Sequence, residues 1–153
     1  MEPREFVERE LMIIGAMFNI QKELYPQVVL IKDDKRFPMP VNFPNSARKD
    51  IISQGIKDLV RTSEPDVVVF MAEAWMKIIT TEVVRKQINF EATDPDKIEI
   101  IAVQIEFKTG EKFGCEARII RDEYGTRLGE FKITNSDISM GRFIDFFPIG
   151  RLN

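Results

Sequence analysis

Apolar residues recur at helical spacing from about Pro3 to Leu24, at Phe6, Val7, Leu11, Ile14, Met17, Phe18 and Ile20, while Glu8, Asn19, Lys22 and Glu23 fall on the other side. This period predicts an amphipathic helix, with Pro3 in the first turn and Pro26 ending the segment. Gln27 to Lys32 (Q-V-V-L-I-K) reads as a short buried strand running into the charged cluster Asp33-Asp34-Lys35-Arg36. The three prolines between Phe37 and Pro44 predict a rigid, irregular connection. Asn45 or Ser46 then caps a second helix reaching about Thr62, with Ile51, Ile52, Ile56, Leu59 and Val60 as its apolar face. Gly55 falls on the same stripe and suggests close approach to a sheet.

Asp66 to Ile79 is the strongest strand signal. Val67, Val69, Met71 and Trp75 point one way and Val68, Phe70, Ala72, Ala74 and Met76 the other. A strand apolar on both faces is central and covered twice. Thr80 to Phe90 fits either strand or helix, and Asp94-Pro95-Asp96 turns the chain. Ile98 to Lys108, Lys112 to Arg121 and Arg127 to Ile133 then form an antiparallel meander with turns at Thr109-Gly110 and Asp122-Glu123-Tyr124-Gly125.

Helices early and a strand run late predict one α+β domain over residues 1–153, with about five mostly antiparallel strands and two main helices packed on one face. The second face of the central strand then needs another cover. The aromatic segment Gly141-Arg142-Phe143-Ile144-Asp145-Phe146-Phe147-Pro148 is one choice, and a second subunit is another. Docked back, the aromatic segment closes the core within one chain. Left exposed, it makes a partner or dimer surface, as does a second subunit on the apolar strand face, and a homo-oligomer is the expected state.

Composition narrows the chemistry. The net charge of −3 argues against a nucleic-acid partner, which calls for phosphate-neutralising basic surface. The chain has no histidine, so Ser-His-Asp and Cys-His nucleophiles and His-ligated metals are excluded. Its single cysteine, Cys115, permits no internal disulfide and suits a reducing compartment. The charged start Met1-Glu2-Pro3-Arg4-Glu5 lacks a signal-peptide core, and no apolar run approaches the roughly 20 residues of a membrane span. A soluble, cytoplasmic protein without a membrane partner is the expectation.

Two constellations are candidates for chemistry. Pro95-Asp96 followed by Glu106-Phe107-Lys108 spells the P-D…(D/E)-x-K signature of a large nuclease superfamily. Under that resemblance Asp96 and Glu106 would hold Mg²⁺ or Mn²⁺ while Lys108 polarises the attacking water. Against it, Glu106 and Lys108 also suit the outward face of an alternating strand. Asp96 precedes the strand rather than ending a neighbouring one, and the other Pro-Asp, Pro65-Asp66, lies 39 intervening residues from Glu106.

The second candidate is Glu73, which interrupts the apolar strand as Ala72-Glu73-Ala74-Trp75. A carboxyl there loses hydration, which raises its pKa unless cations compensate, and Arg118, Arg121 and Lys108 are the available counter-ions. The small alanines leave room for a ligand beside Glu73 and Trp75; the bland reading is a structural ion pair.

The A-E-A-W strand, the Asp94-Pro95 entry into a long strand, and the hairpin leading to Arg118-Ile119-Ile120-Arg121-Asp122 together resemble a group of small uncharacterised bacterial proteins, over roughly residues 66 to 131. That resemblance implies a bacterial or phage-related source and gives weight to Glu73 and Trp75, with no activity or cofactor attached. The sequence therefore favours a non-enzymatic accessory or binding protein that self-associates, has an unknown protein partner and needs no cofactor. The alternatives are a metal-dependent nuclease or phosphodiesterase, or a small-ligand domain around Glu73 and Trp75.

Overall fold

The computed structural model describes residues 2–42, 46–77 and 97–134, without the side chains of residues 46, 75–77, 97 and 134. The Thr80–Phe90 segment, Asp96 and the aromatic segment after Gly141 lie outside the described residues. In chain order the elements are α1 (Pro3–Gln21), β1 (Gln27–Lys32), β2 (Lys35–Pro40), α2 (Ser46–Ser63), β3 (Val67–Lys77), β4 (Lys97–Phe107), β5 (Lys112–Asp122), β6 (Gly125–Leu128) and β7 (Lys132–Thr134). The α+β class is as predicted. Among the described residues every strand pairing is antiparallel, in the order β2-β1-β3-β4-β5-β6, with β7 also on β5.

Among the described residues seven strands replace the expected five, and each addition has a local cause. Asp33 and Asp34 have φ of 50° and 64°, the positive values that a two-residue type I′ hairpin turn demands and that Asp tolerates. The turn folds Lys35–Pro40 back on β1, with Pro38 opposite Val29 and Pro40 opposite Gln27. Proline is admissible there because β2 is an edge strand and needs no outward N–H. The predicted final strand divides in two. Between the pairs Ile119–Leu128 and Glu116–Lys132, β5 advances three residues while the returning chain advances four, so one residue bulges between β6 and β7.

The helices do not share a face. Val7, Leu11, Ile14 and Phe18 of α1 pack with Val29 and Ile31, Val67, Val69 and Met71, and Ile101, Val103 and Ile105. Ile56 and Val60 of α2 pack with Val28, Leu30, Val68, Phe70 and Ala72. The alternating residues of β3 thus enter two separate cores, one under each helix. Connectivity explains this. Both β2 and β3 run antiparallel to β1, so they are parallel to each other, and α2 crosses over β1 to join them. The double apolarity of β3 is therefore met within one chain, and it no longer argues for a second subunit. Gly55 is exposed, with nothing near the position a Cβ would take, so it serves no close approach.

Candidate functional site

Glu73 lies two residues beyond Met71, where β1 has ended, since Met71 pairs with Gln27, the first residue of that strand. Odd-numbered β3 residues face α1, so Glu73 follows Val67, Val69 and Met71 off the end of the α1 core. The same face brings up Glu99 of β4, two residues from Ile101, which stands opposite Glu73. Arg121 of β5 follows Ile119 in the same way. Apolar burial stops at this end of the sheet and charge begins.

The three side chains form one cluster. Arg121 Nε donates to Glu99 Oε2 at 2.8 Å, its Nη1 donates to Thr126 Oγ1 at 3.3 Å, and its Nη2 stands 4.0 Å from Glu73 Oε1. The guanidinium is thus committed to Glu99 and Thr126, and only loosely to Glu73. Glu73, Ala74, Glu99, Ile119 and Arg121 enclose a partly open cavity of about 120 Å³, room for a small head group or about four waters at roughly 30 Å³ each. Loss of hydration holds the Glu73 carboxyl above its ordinary value of 4.5. Arg121 pulls it back down, and the negative charges of Glu99 and Glu23 push it further up. Three carboxylates therefore act here against one guanidinium. Lys22, at the end of α1, sends its ammonium to the Thr126 carbonyl at 2.8 Å.

Of the residues singled out from sequence, Glu73 and its counter-ion Arg121 are brought together. Trp75 is placed on β3 opposite Glu99, and its side chain lies outside the described part. Glu99 was missed by sequence reasoning, although its signal was present. It is the one charge between Ile98 and Val103, in the same alternating position as Ile101.

The nuclease-like residues are arranged differently from expectation. Asp96 lies outside the described residues. Glu106 is 1% exposed rather than outward, because it stands opposite Val68, on the face that α2 covers. Gln104, opposite Phe70, shares that burial, and neither end of its amide has a hydrogen-bond partner among the described residues. Lys108 pairs instead with the other Pro-Asp. Its ammonium lies 3.7 Å from Asp66 Oδ1 and its N–H donates to the Asp66 carbonyl, while Asp66 Oδ2 accepts the Asp33 N–H at 3.1 Å. Asp66 thereby ties the ends of β1, β3 and β4 together. Among the described residues no group of three or more His, Cys, Asp or Glu is disposed to hold a metal ion.

A larger groove of about 460 Å³ runs between Tyr25, Pro26, Pro40, Val41 and Asn42. It offers apolar contact but no carboxylate or cation. Burial pushes the Cys115 thiol up to about 12, so it stays protonated and inert at neutral pH. Among the described residues no helix is long and apolar enough to cross a membrane. The chain matches no protein-family model, no curated protein and no solved structure, so a functional reading rests on the molecule's own chemistry.

Proposed function

We propose that this protein is a non-enzymatic binding protein whose seat is the Glu73–Glu99–Arg121 cavity, and that the seat takes a single cationic head group, a guanidinium or ammonium, from a partner. The observation that carries this reading is the unequal sharing of Arg121, which satisfies Glu99 and leaves Glu73 partly desolvated and under-compensated. An incoming cation restores charge balance and replaces the water that Glu73 has lost. A bound base or nucleophile is absent from this reading. Glu73 binds rather than reacts, and the cavity is sized for a side-chain end rather than for a large substrate.

Trp75, the sole tryptophan, lies two residues along β3 from Glu73 and serves as a reporter. Titration with short arginine- or lysine-bearing peptides is expected to change its emission in the wild type and not in Glu73→Gln. An identical response in both proteins would remove Glu73 from the site.

The metal-dependent nuclease remains the second reading, and it draws support from one feature. Asp66 and Val68 stand beside Glu106 and Lys108 across adjacent strands, so the Pro65-Asp66 pair meets the E-x-K tripeptide at one corner of the sheet. The engagement of Asp66 with Lys108 and the Asp33 N–H, together with the burial of Glu106, favours a structural clip there.

A further inference from the structure

Helix α1 has a second apolar row besides the one it buries. Val7, Leu11, Ile14 and Phe18 face the sheet. On the opposite side Met12 is 74% exposed and Ile20 81%, with Ile13 and Ala16 exposed beside them. The amphipathic pattern groups Ile20 with the buried stripe, and its outward position is a correction: the helical period carries it about 200° from Phe18, to the side of Met12 and Ala16. Met12, Ala16 and Ile20 are spaced four apart and therefore form one outward line. Toward the N-terminus the same spacing reaches Glu8, which is paired with Arg4, and Arg9, three residues before Met12, lies beside it on the outward face. A row of large apolar side chains in water marks an interaction surface.

We propose that this row is the contact between two copies of the chain, with their α1 helices antiparallel about a two-fold axis level with Ala16. The row is self-complementary about that residue. Met12 and Ile20 each lie four residues from it, about 6 Å along the axis at about 1.5 Å per residue. A two-fold at Ala16 therefore sets Met12 of each copy level with Ile20 of the other, and the small alanines meet at the crossing, where the helices come closest.

Charge fits the same register. Arg9 lies seven residues from Ala16 and so reaches the level of the other copy's α1 C-terminus. The last turn of α1 contains no basic residue, and the ammonium of the capping Lys22 is held by Thr126. That negative end of the helix dipole is left for a cation. Arg9 has no ion-pair partner among the described residues. Each copy thus offers the cation that the other lacks, twice by symmetry.

The sheet edges are poor alternatives. The β2 edge carries Pro38 and Pro40, which cannot donate to an added strand, and β6 and β7 are four and three residues long. A single helix pair is small beside the roughly 800 Å² per partner of a standard interface. The dimer is accordingly concentration-dependent rather than obligate. The contact uses none of Glu73, Glu99 and Arg121, so its failure and that of the binding seat are read by different experiments.

Sedimentation velocity on the full chain, from micromolar to near-millimolar concentration, tests this directly. The weight-average mass of the wild type is expected to climb from 17.8 kDa toward twice that value. Ile20→Lys is expected to stay at 17.8 kDa with an unchanged thermal midpoint, because the side chain is solvent-exposed in the monomer. Mild oxidation of Ala16→Cys is expected to give a covalent dimer more readily than Tyr124→Cys, another exposed position, at the β5–β6 turn. A wild type that stays monomeric throughout, a dimer indifferent to Ile20→Lys, or an Ala16→Cys variant that cross-links no better than Tyr124→Cys overturns the proposal.

Discussion

The Arg121 guanidinium stands 4.0 Å from the Glu73 carboxylate, within ion-pair reach and beyond hydrogen-bond reach. Its tight contacts, with Glu99 and Thr126, are both on strands to one side of β3. Glu73 therefore keeps a carboxylate that is neither fully hydrated nor fully paired, at the point where the α1 core ends.

This has a signature in pH. Glu73 titrates above 4.5 in the folded chain, mainly through lost hydration. Between 4.5 and the raised value the folded state keeps a proton that the unfolded state has released, so stability falls as pH rises through that window. Urea midpoints collected across it are expected to fall less steeply with pH in Glu73→Gln than in the wild type. Parallel curves would mean that Glu73 is as well solvated folded as unfolded.

Glu10 and Arg36 make a markedly asymmetric ion pair. Glu10 is buried on α1, and Arg36 of the edge strand reaches it with both terminal nitrogens, one of them at 2.8 Å. Arg36 is partly exposed and can return to water if its partner is lost, whereas Glu10 cannot. Arg36→Ala is expected to cost on the order of 3 kcal/mol, and Glu10→Ala distinctly less. Chemical denaturation of the two variants checks the order, and the reverse order contradicts the burial assigned to Glu10.

Gln104 offers a stabilising substitution. Its amide is fully buried without a hydrogen-bond partner among the described residues, and an unmet buried polar group costs about 1–3 kcal/mol. Gln104→Met keeps the volume and removes the polar atoms, so a higher thermal midpoint is expected. A clear fall in the midpoint would show that the amide has a partner that holds it.

Divalent cations distinguish the second reading of the site. With Asp66 engaged by Lys108 and Asp33, millimolar Mg²⁺ or Mn²⁺ is expected to leave the unfolding midpoint unchanged. A ligand at 100 times its dissociation constant adds about 2.7 kcal/mol of stability, a shift of several degrees for a domain of this size. Such a shift, lost in Asp66→Ala or Glu106→Ala, would restore the nuclease reading and call for assays on DNA and RNA.

Much of the fold is legible in the pattern of residues, and the exceptions have physical reasons. The boundaries of β1, α2, β4 and β5 fall within a residue or two of expectation, because each is a clean periodic run between strong turn signals. Strand β2 is hidden because Pro38 and Pro40 read as breakers, although an edge position neutralises that objection. The turn that creates it depends on two aspartates entering a left-handed conformation. The sides taken by the helices cannot be read from β3, which is equally apolar on both faces; the crossover of α2 over β1 decides them. At the site, Glu73 is visible as a lone carboxyl in an apolar strand, and Arg121 is visible among three available cations. Their selection depends on strand register, which places Ile101, not Glu99, opposite Glu73 and leaves Glu99 to hold the guanidinium.

The most direct test of the binding proposal is an amide chemical-shift titration of the ¹⁵N-labelled chain with N-acetyl-arginine-amide, using the uncharged isostere N-acetyl-citrulline-amide as control. Saturable shifts centred on Glu73, Glu99 and Arg121 are predicted for the arginine probe, with none for citrulline and none in Glu73→Gln. Equal responses to both probes, or no response at those residues, would contradict a seat built for a cation.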